Sequence, residues 1–304
     1  MPELPEVETI RRQLQRNIVG KKIMRVEVLY PKVVHGMSTA DFVRALKGRK
    51  VRGVGRQGKL ILIRLSGKET LVVHLKMTGR LILMHPSPHP SPPPEAGRRG
   101  RGGLSTSSRP LGEGQGEGAN ESTEVIFTLS GGMILRYDDL RRFGYMKVVP
   151  TSAESKFVQK ERLGIDFFSS TLTVHKFKEL MRSRGGSQIK PLLLDQALVA
   201  GIGNIYAQEA CFMARIDPLR KVADLTDEDL AGLYRALSTT MKSAIKYGGT
   251  SADDYRDAFG KEGKFAPRLK VYGREGKPCV RCKIKLIKKS IGGRGTVFCP
   301  KCQK

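Results

Sequence analysis

The spacing Cys279-x-x-Cys282, sixteen residues, then Cys299-x-x-Cys302 restricts the fold more than any other feature of this chain. Two such knuckles on a β-hairpin can bring four thiolates to one tetrahedral point, the ligand set of a structural zinc. With all four positions filled by protein sulfur, none remains for water or substrate, so the one expected Zn2+ holds structure and performs no chemistry. The opening Met1-Pro2-Glu3 is acidic and lacks the apolar core of a signal peptide, which points to a reducing cytoplasm and to metal over disulfides. The fifth cysteine, Cys211, falls in a helical stretch and reads as a small buried hydrophobe.

Charge limits the partner. The chain has 304 residues with 55 Lys or Arg against 29 Asp or Glu, a formal net charge of +26. So cationic a surface suits a polyanion, nucleic acid first. An anionic membrane is the competitor, but there is no lipidation signal, no run of 18 apolar residues and no basic amphipathic helix with a bulky apolar face. The last fifty residues hold fifteen Lys or Arg against three Asp or Glu, close to half of the surplus. Within them Gly292-Gly293-Arg294-Gly295 reads as the hairpin tip, where a glycine-flanked arginine can enter a minor groove. The expected location is the cytoplasm, at the nucleoid, and the expected state a monomer without membrane attachment.

The length suffices for two modest domains with their own cores, and a hydrophobic content of 39% is ordinary for a soluble protein. After a first helix bearing Val7, Ile10 and Leu14 on one face, short β-rich runs follow at Ile23 to Tyr30, Val51 to Gly55, Leu60 to Leu65 and Thr70 to His74. Residues 85–120 break with this pattern, having six prolines between Pro86 and Pro94 and eight glycines between Gly97 and Gly118, and are expected to be a disordered insertion. Strands resume at Val125 to Leu129, turn at Gly131-Gly132 and return through Met133 to Tyr137, a hairpin signature. Beyond a linker at 150–170 the pattern becomes helical, with helices predicted near 171–183, 189–199, 205–214 and 226–246. The division predicted is 1–150, 151–265 and 266–304.

The first twelve residues carry the chemistry. Removal of Met1 would expose Pro2 as a secondary amine beside the Glu3 carboxylate, a nucleophile next to a proton carrier. An α-amino group titrates near 7.7 to 8.0, so a free-base fraction exists at neutral pH. Attack on a sugar C1′ would give an iminium that is cationic at any pH and invites elimination. Pro5 and the acidic first turn also suit a helix start and its dipole, but that leaves the proline directly after Met1 unexplained.

The stretch Pro2-Glu3-Leu4-Pro5-Glu6-Val7-Glu8-Thr9 resembles the N-terminus of the bacterial formamidopyrimidine-DNA glycosylases, bifunctional base-excision repair enzymes for oxidised purines. The resemblance runs through nearly the whole chain outside 85–120. It implies an α+β fold: an N-terminal antiparallel β-sandwich with flanking helices, joined to a helical helix-two-turn-helix domain with a zinc-finger β-hairpin. It implies a DNA glycosylase and AP lyase acting on double-stranded DNA that contains oxidised bases or abasic sites.

Residue by residue, the resemblance makes Pro2 the nucleophile and Glu3 the proton shuttle. Lys59, which alone would read as a solvated lysine at a strand entry, becomes an active-site group for lesion recognition and β-elimination. Met77 becomes a wedge filling the gap left by an extruded base; Arg141 and Phe143, in Asp138-Asp139-Leu140-Arg141-Arg142-Phe143-Gly144, enter the duplex beside it. Lys190 and Asn204 contact the backbone near the lesion, and Arg294 clamps a phosphate and assists δ-elimination. The chain departs from the family where Leu140 replaces a proline, where Glu121-Ser122-Thr123-Glu124 replaces a Lys-His-x-His run, and where Gly185 aligns with a backbone-contacting lysine. Two other readings remain at this point: an endonuclease-eight-like glycosylase for oxidised pyrimidines, and a non-catalytic DNA-binding zinc protein.

Overall fold

In the computed structural model residues 1–85, 119–252 and 254–304 are described, so the insertion expected at 85–120 lies outside the described residues except at its ends. The chain begins with α1 (Leu4–Ile18), whose Val7, Ile10, Leu14 and Ile18 recur at helical spacing and are all buried. It continues through β1 (Ile23–Val28), α2 (Thr39–Leu46), β2 (Val51–Gln57), β3 (Leu60–Leu65), β4 (Glu69–His74), β5 (Gly79–Met84), β6 (Thr123–Leu129), β7 (Ile134–Asp139) and β8 (Tyr145–Pro150). These strands form two four-stranded sheets, in the orders β1-β6-β7-β5 and β2-β3-β4-β8, with every neighbouring pair antiparallel. Between them lies one core that includes Val26, Ile61, Val73, Leu81, Phe127, Tyr137 and Met146 together with the buried face of α1. The antiparallel sandwich is as expected.

The second half holds α3 (Glu154–Lys160), the short parallel pair β9 (Ile165–Asp166) and β10 (Val199–Ala200), α4 (Val174–Arg182), α5 (Ile189–Leu193), α6 (Asn204–Ala214) and α7 (Asp227–Lys246). The Thr173 hydroxyl caps α4 by accepting from Lys176 N at 3.2 Å, and Thr226 and Asp229 cap α7 reciprocally. Around α6 and α7 a separate core gathers Phe177, Met181, Leu193, Tyr206, Leu233, Leu237 and Met241. Last comes the hairpin β11 (Ile287–Ile291) and β12 (Arg294–Phe298), paired antiparallel across Gly292-Gly293. Buried Glu209 of α6 accepts three backbone N–H groups, from Lys270, Val271 and Tyr272 at 2.8 to 2.9 Å. Gln208 accepts from Val297 N at 2.7 Å, so α6 holds both the approach to the hairpin and its second strand.

Three expectations need correction. The helix predicted near 189–199 ends at Leu193, because Asp195 and Gln196 turn the chain: Asp195 accepts from Ala197 N, while the Gln196 side chain binds Leu194 O, Ile202 O and Gly201 N. The linker at 150–170 contains α3 and β9. The acidic first turn of α1 does more than complement a dipole, since Glu6 and Glu8 are buried and hydrogen-bonded.

The two halves are joined by charge at the base of the sandwich. Arg56 of β2 reaches Glu8 at 3.2 Å and pairs closely with Asp166 of β9, and Asp166 also accepts from Gly58 N at 2.6 Å. Arg56 and Asp166 are nearly withdrawn from water, so losing one partner would strand the other uncompensated.

Candidate active site and metal centre

Glu3 sits at the meeting point of the two halves. Its carboxylate accepts from Ile205 N at 3.0 Å and lies at the N-terminal end of α6, a position where free amides and the helix dipole favour an anion. A side chain at 203 would displace the Glu3 carboxylate: a Cβ there would stand 2.2 Å from the Glu3 carboxyl carbon. Burial pushes the Glu3 carboxyl above the usual carboxylate range, against the pull of Lys59 and the two α6 amides of Ile205 and Tyr206. Glu6, one turn along α1, accepts from Glu3 N at 2.9 Å and Thr250 N at 2.8 Å and from the Tyr206 hydroxyl. Burial, then the charge of Glu3, raises Glu6 to about 7. Two buried acids joined by the Glu3 N to Glu6 hydrogen bond therefore follow Pro2, which is itself buried.

A cavity of about 210 Å³ opens in front of them, lined by Met1, Lys59, His74, Lys76, Gln196, Gly203, Asn204 and Arg294 among others. Lys59 occupies the turn between β2 and β3, and its place is set by Gly58, whose φ of +55° and close approach to Ala200 exclude a side chain. Burial lowers the Lys59 pKa, opposed by the charge of Glu3. His74, which sequence reasoning missed, accepts from Lys76 N through Nδ1 at 3.0 Å, leaving Nε2 as the donor of its neutral ring. Burial and the adjacent Lys76 and Lys59 depress it to about 3, so it stays neutral at physiological pH. Only its place at the end of β4, one residue from the Lys76-Met77 turn, could have flagged it.

Asn204 opens α6 and donates to Gly295 O at 3.3 Å, while its buried Oδ1 has no partner among the described residues. Lys190 of α5 is fully buried, its Nζ has no hydrogen-bond partner among the described residues, and burial lowers it to about 8. Arg294, exposed at the start of β12, completes the rim. A larger cleft of about 870 Å³ shares Asn204 with this cavity and runs along the hairpin past Arg274, Lys277 and Lys288. The smaller space is lined by Met1, Lys59 and Gly203, which adjoins buried Glu3; the larger is a basic track suited to an extended polyanion.

Met77, Arg141 and Phe143 do not line the cavity but belong to two neighbouring turns. Asp139, at the end of β7, binds the Thr78 hydroxyl and accepts from Arg141 N at 3.2 Å, Phe143 N at 3.0 Å and Gly144 N at 2.7 Å. One carboxylate thus fixes the loop that displays Phe143, 55% exposed, with the Arg141 guanidinium 4.9 Å from its ring centre. Arg141 N also donates to Thr78 Oγ1 at 3.0 Å, tying this loop to the Met77 turn. Large apolar side chains held out in water on a fixed loop are suited to insertion between stacked bases.

The four expected thiolates converge, all within 4.8 Å of one another, with Cys279 and Cys302 Sγ at 3.9 Å and Cys282 and Cys299 Sγ at 3.4 Å. Tetrahedral Zn–S bonds of about 2.3 Å require sulfurs about 3.8 Å apart, so the set fits one structural zinc. Cys211 is buried, its thiol pushed up by burial to about 12, as expected of a hydrophobe.

Fold and site define a class first: two-domain zinc-hairpin proteins in which a helical module and the hairpin close over the chain's own N-terminus. The chain belongs to the formamidopyrimidine-DNA glycosylase family. Models of that family's N-terminal domain match residues 1–146 and of its H2TH domain residues 163–256, and a zinc finger found in FPG and IleRS matches 276–304. The formamidopyrimidine-DNA glycosylase of Pelotomaculum thermopropionicum is 42% identical over 304 residues, covering 100% of this chain and 99% of the relative. That of Heliobacterium modesticaldum is 40% identical with both chains fully covered. Among solved structures, a point mutant of Lactococcus lactis Fpg with Fapy-dG DNA has a TM-score of 0.82, and L. lactis Fpg with abasic-site DNA 0.83; each is 30% identical with both chains covered in full.

Proposed function

We propose that this protein is a base-excision DNA glycosylase and AP lyase that removes oxidised purines, 8-oxoguanine and formamidopyrimidines, from double-stranded DNA. The observation that carries the reading is the buried pair behind the N-terminus. Glu3, raised by burial, retains a proton nearer neutral pH than an ordinary carboxyl and can deliver it as the sugar ring opens. With Met1 removed, the Pro2 nitrogen attacks C1′ of an extruded nucleotide, the C1′–N bond to the base breaks, and the base leaves with a proton. The resulting iminium acidifies C2′, and β- and then δ-elimination cut the strand on both sides. Lys59, lowered by burial, is suited to accept a proton during elimination, while His74, Asn204, Lys190 and Arg294 surround the phosphates with donors.

In this reading Met77, Arg141 and Phe143 fill the gap left by the extruded nucleotide. Residues 1–150 carry Pro2, Glu3 and Lys59, 151–265 the helical DNA-binding part and 266–304 the zinc finger with Arg294. The thiolates of the finger require a reducing compartment, which supports the cytoplasm; no helix among the described residues is long and apolar enough to cross a membrane. The test is single-turnover excision on duplexes carrying 8-oxoguanine, a formamidopyrimidine or an oxidised pyrimidine, reading both the released base and the strand ends. Purine release with phosphate on both ends supports the reading. Faster release of the pyrimidine would transfer the protein to the endonuclease-eight-like alternative, and binding without release would leave a non-catalytic zinc protein.

A further inference from the structure

Glu124 has an environment that neither the cavity nor the zinc centre explains. Its residue is 1% exposed, and neither carboxyl oxygen has a hydrogen-bond partner among the described residues. A bare buried carboxylate is costly, so such a group either holds a proton or finds a cation. Glu124 lies where the register between β6 and β7 shifts, between Thr123 and Val125, and a bulge of this kind re-aims the side chain at its centre. Its backbone carbonyl accepts from Leu29 N at 2.8 Å and Tyr30 N at 3.2 Å, which pins the bulge to the end of β1.

Among the described residues the charged neighbours are few. From β7 come Tyr137, Asp138 and Asp139; Asp138 is already satisfied by Arg136 at 2.8 Å and Thr123, whereas Asp139 is the carboxylate from which the Arg141–Gly144 loop hangs. The loop contributes Arg142, left-handed at φ +56°, whose guanidinium lies 4.5 Å from the centre of the Tyr30 ring. β1 contributes Glu27, paired with Arg25 at 3.2 Å. Among the described residues Glu124 therefore faces one unneutralised anion, Asp139, that organises the Arg141–Gly144 loop and one cation, Arg142, that is part of that loop.

We propose that Glu124 is a positioning residue for the loop bearing Arg141 and Phe143: neutral, it leaves Asp139 and the loop undisturbed and Arg142 free, and ionised, it repels Asp139 and draws Arg142 inward. Duplex binding, which brings phosphates to the same surface, is then coupled to uptake of a proton by Glu124. Burial and then the charge of Asp139 raise this carboxyl to about 7, with Arg142 opposing, so the exchange falls in the physiological range. Affinity is greater below that value and declines as pH rises through it. The proposal rests on the reading that this loop enters DNA.

The experiment uses the full zinc-loaded chain and a duplex with a non-cleavable abasic analogue, titrated from pH 6 to 8.5 at fixed ionic strength, with calorimetry in two buffers of different protonation enthalpy. The parent should lose affinity with rising pH more steeply than Glu124→Gln, the excess being bounded at about tenfold per pH unit for one proton, and the calorimetric proton count should fall in the variant. Arg142→Gln removes the opposing cation and should move the break to higher pH, a readout that does not depend on Glu124→Gln folding well. Equal pH profiles and proton counts in parent and Glu124→Gln, or an unmoved break in Arg142→Gln, overturn the proposal. Arg141→Ala and Phe143→Ala separate the two failures: if neither weakens binding, the loop does not enter DNA and both readings fall, whereas if they weaken it and the profiles coincide, only the role of Glu124 falls.

Discussion

Gly203 and Glu6 bound what Glu3 can do from two sides. A single methyl at 203 would lie within 2.5 Å of both Glu3 carboxyl oxygens, so Gly203→Ala should push the carboxylate away from the α6 amides while leaving the charged side chains around the cavity in place. Displacing a reacting group by about 1 Å can cost about 100-fold in rate, and that loss is expected in single-turnover base release with duplex affinity nearly unchanged. Unchanged release would mean that Glu3 tolerates displacement and is not the proton carrier. Glu6 supplies a stability readout. Its folded value is raised to about 7 from an ordinary 4.5, so the folded chain holds this proton more tightly than the unfolded one. The contribution is therefore complete below the unfolded value and lost as pH rises through about 7. Glu6→Gln, neutral throughout, should gain stability relative to the parent on going from pH 5 to pH 8, by on the order of 2 kcal/mol. Equal shifts of both melting curves would remove Glu6 from the linkage.

At the scale of elements, the loop after α4 lets the structure decide between two arginines near Gly185. The Arg182 guanidinium donates to Val222 O at 2.9 Å and Leu225 O at 2.6 Å and pairs with Asp227 at 3.1 Å, so it is committed to the fold. Arg184 is exposed, and its side chain has no partner among the described residues. A Cβ at Gly185 would meet only ordinary contacts at 3.7 and 3.8 Å, so a lysine fits there. Each phosphate neutralised contributes about 0.9 to the slope of log affinity against log salt. Gly185→Lys should steepen that slope by about one and Arg184→Ala flatten it by about one, while Arg182→Ala should lower the melting temperature instead. Identical slopes in all three would show that this loop lies off the DNA.

Legibility followed the range of each interaction. The strands, the hairpin through Gly131-Gly132 and the cysteine pairs could be read because alternation, turn glycines and ligand spacing are local. The leucine-rich run after Lys190 looked helical to 199, and only the long-range bonds of Gln196 to Gly201 and Ile202 explain the stop at Leu193. Glu6 read as a first-turn acid complementing the helix dipole, because nothing near it in the chain announces Thr250 or Tyr206, more than 190 residues away. His74 and Glu124 were missed as functional candidates for the same reason: their surroundings are assembled by the turn of a second strand.

For the whole molecule, the zinc centre and the N-terminus make separable demands. The thiolate set packs with Phe212 of α6, Val271, Leu286 and Val297 in a core distinct from the sandwich. Cys282→Ser, or chelation, should therefore loosen the hairpin with Arg294 and lower lesion-duplex affinity at least about tenfold at 0.1 M salt, while the sandwich keeps its β circular dichroism. Full affinity in zinc-free protein would contradict this. The family resemblance makes Pro2 the proposed nucleophile, and buried Glu3 and Glu6 and a cation-lined cavity lie at the junction of the two halves beside it. Borohydride trapping on an 8-oxoguanine duplex, followed by mass mapping of the adduct, tests this most directly. The account predicts a covalent complex through the Pro2 nitrogen of the Met1-free chain and none from a chain that retains Met1. An adduct of equal yield on the Met1-retaining chain, or one mapped to Lys59, would contradict it.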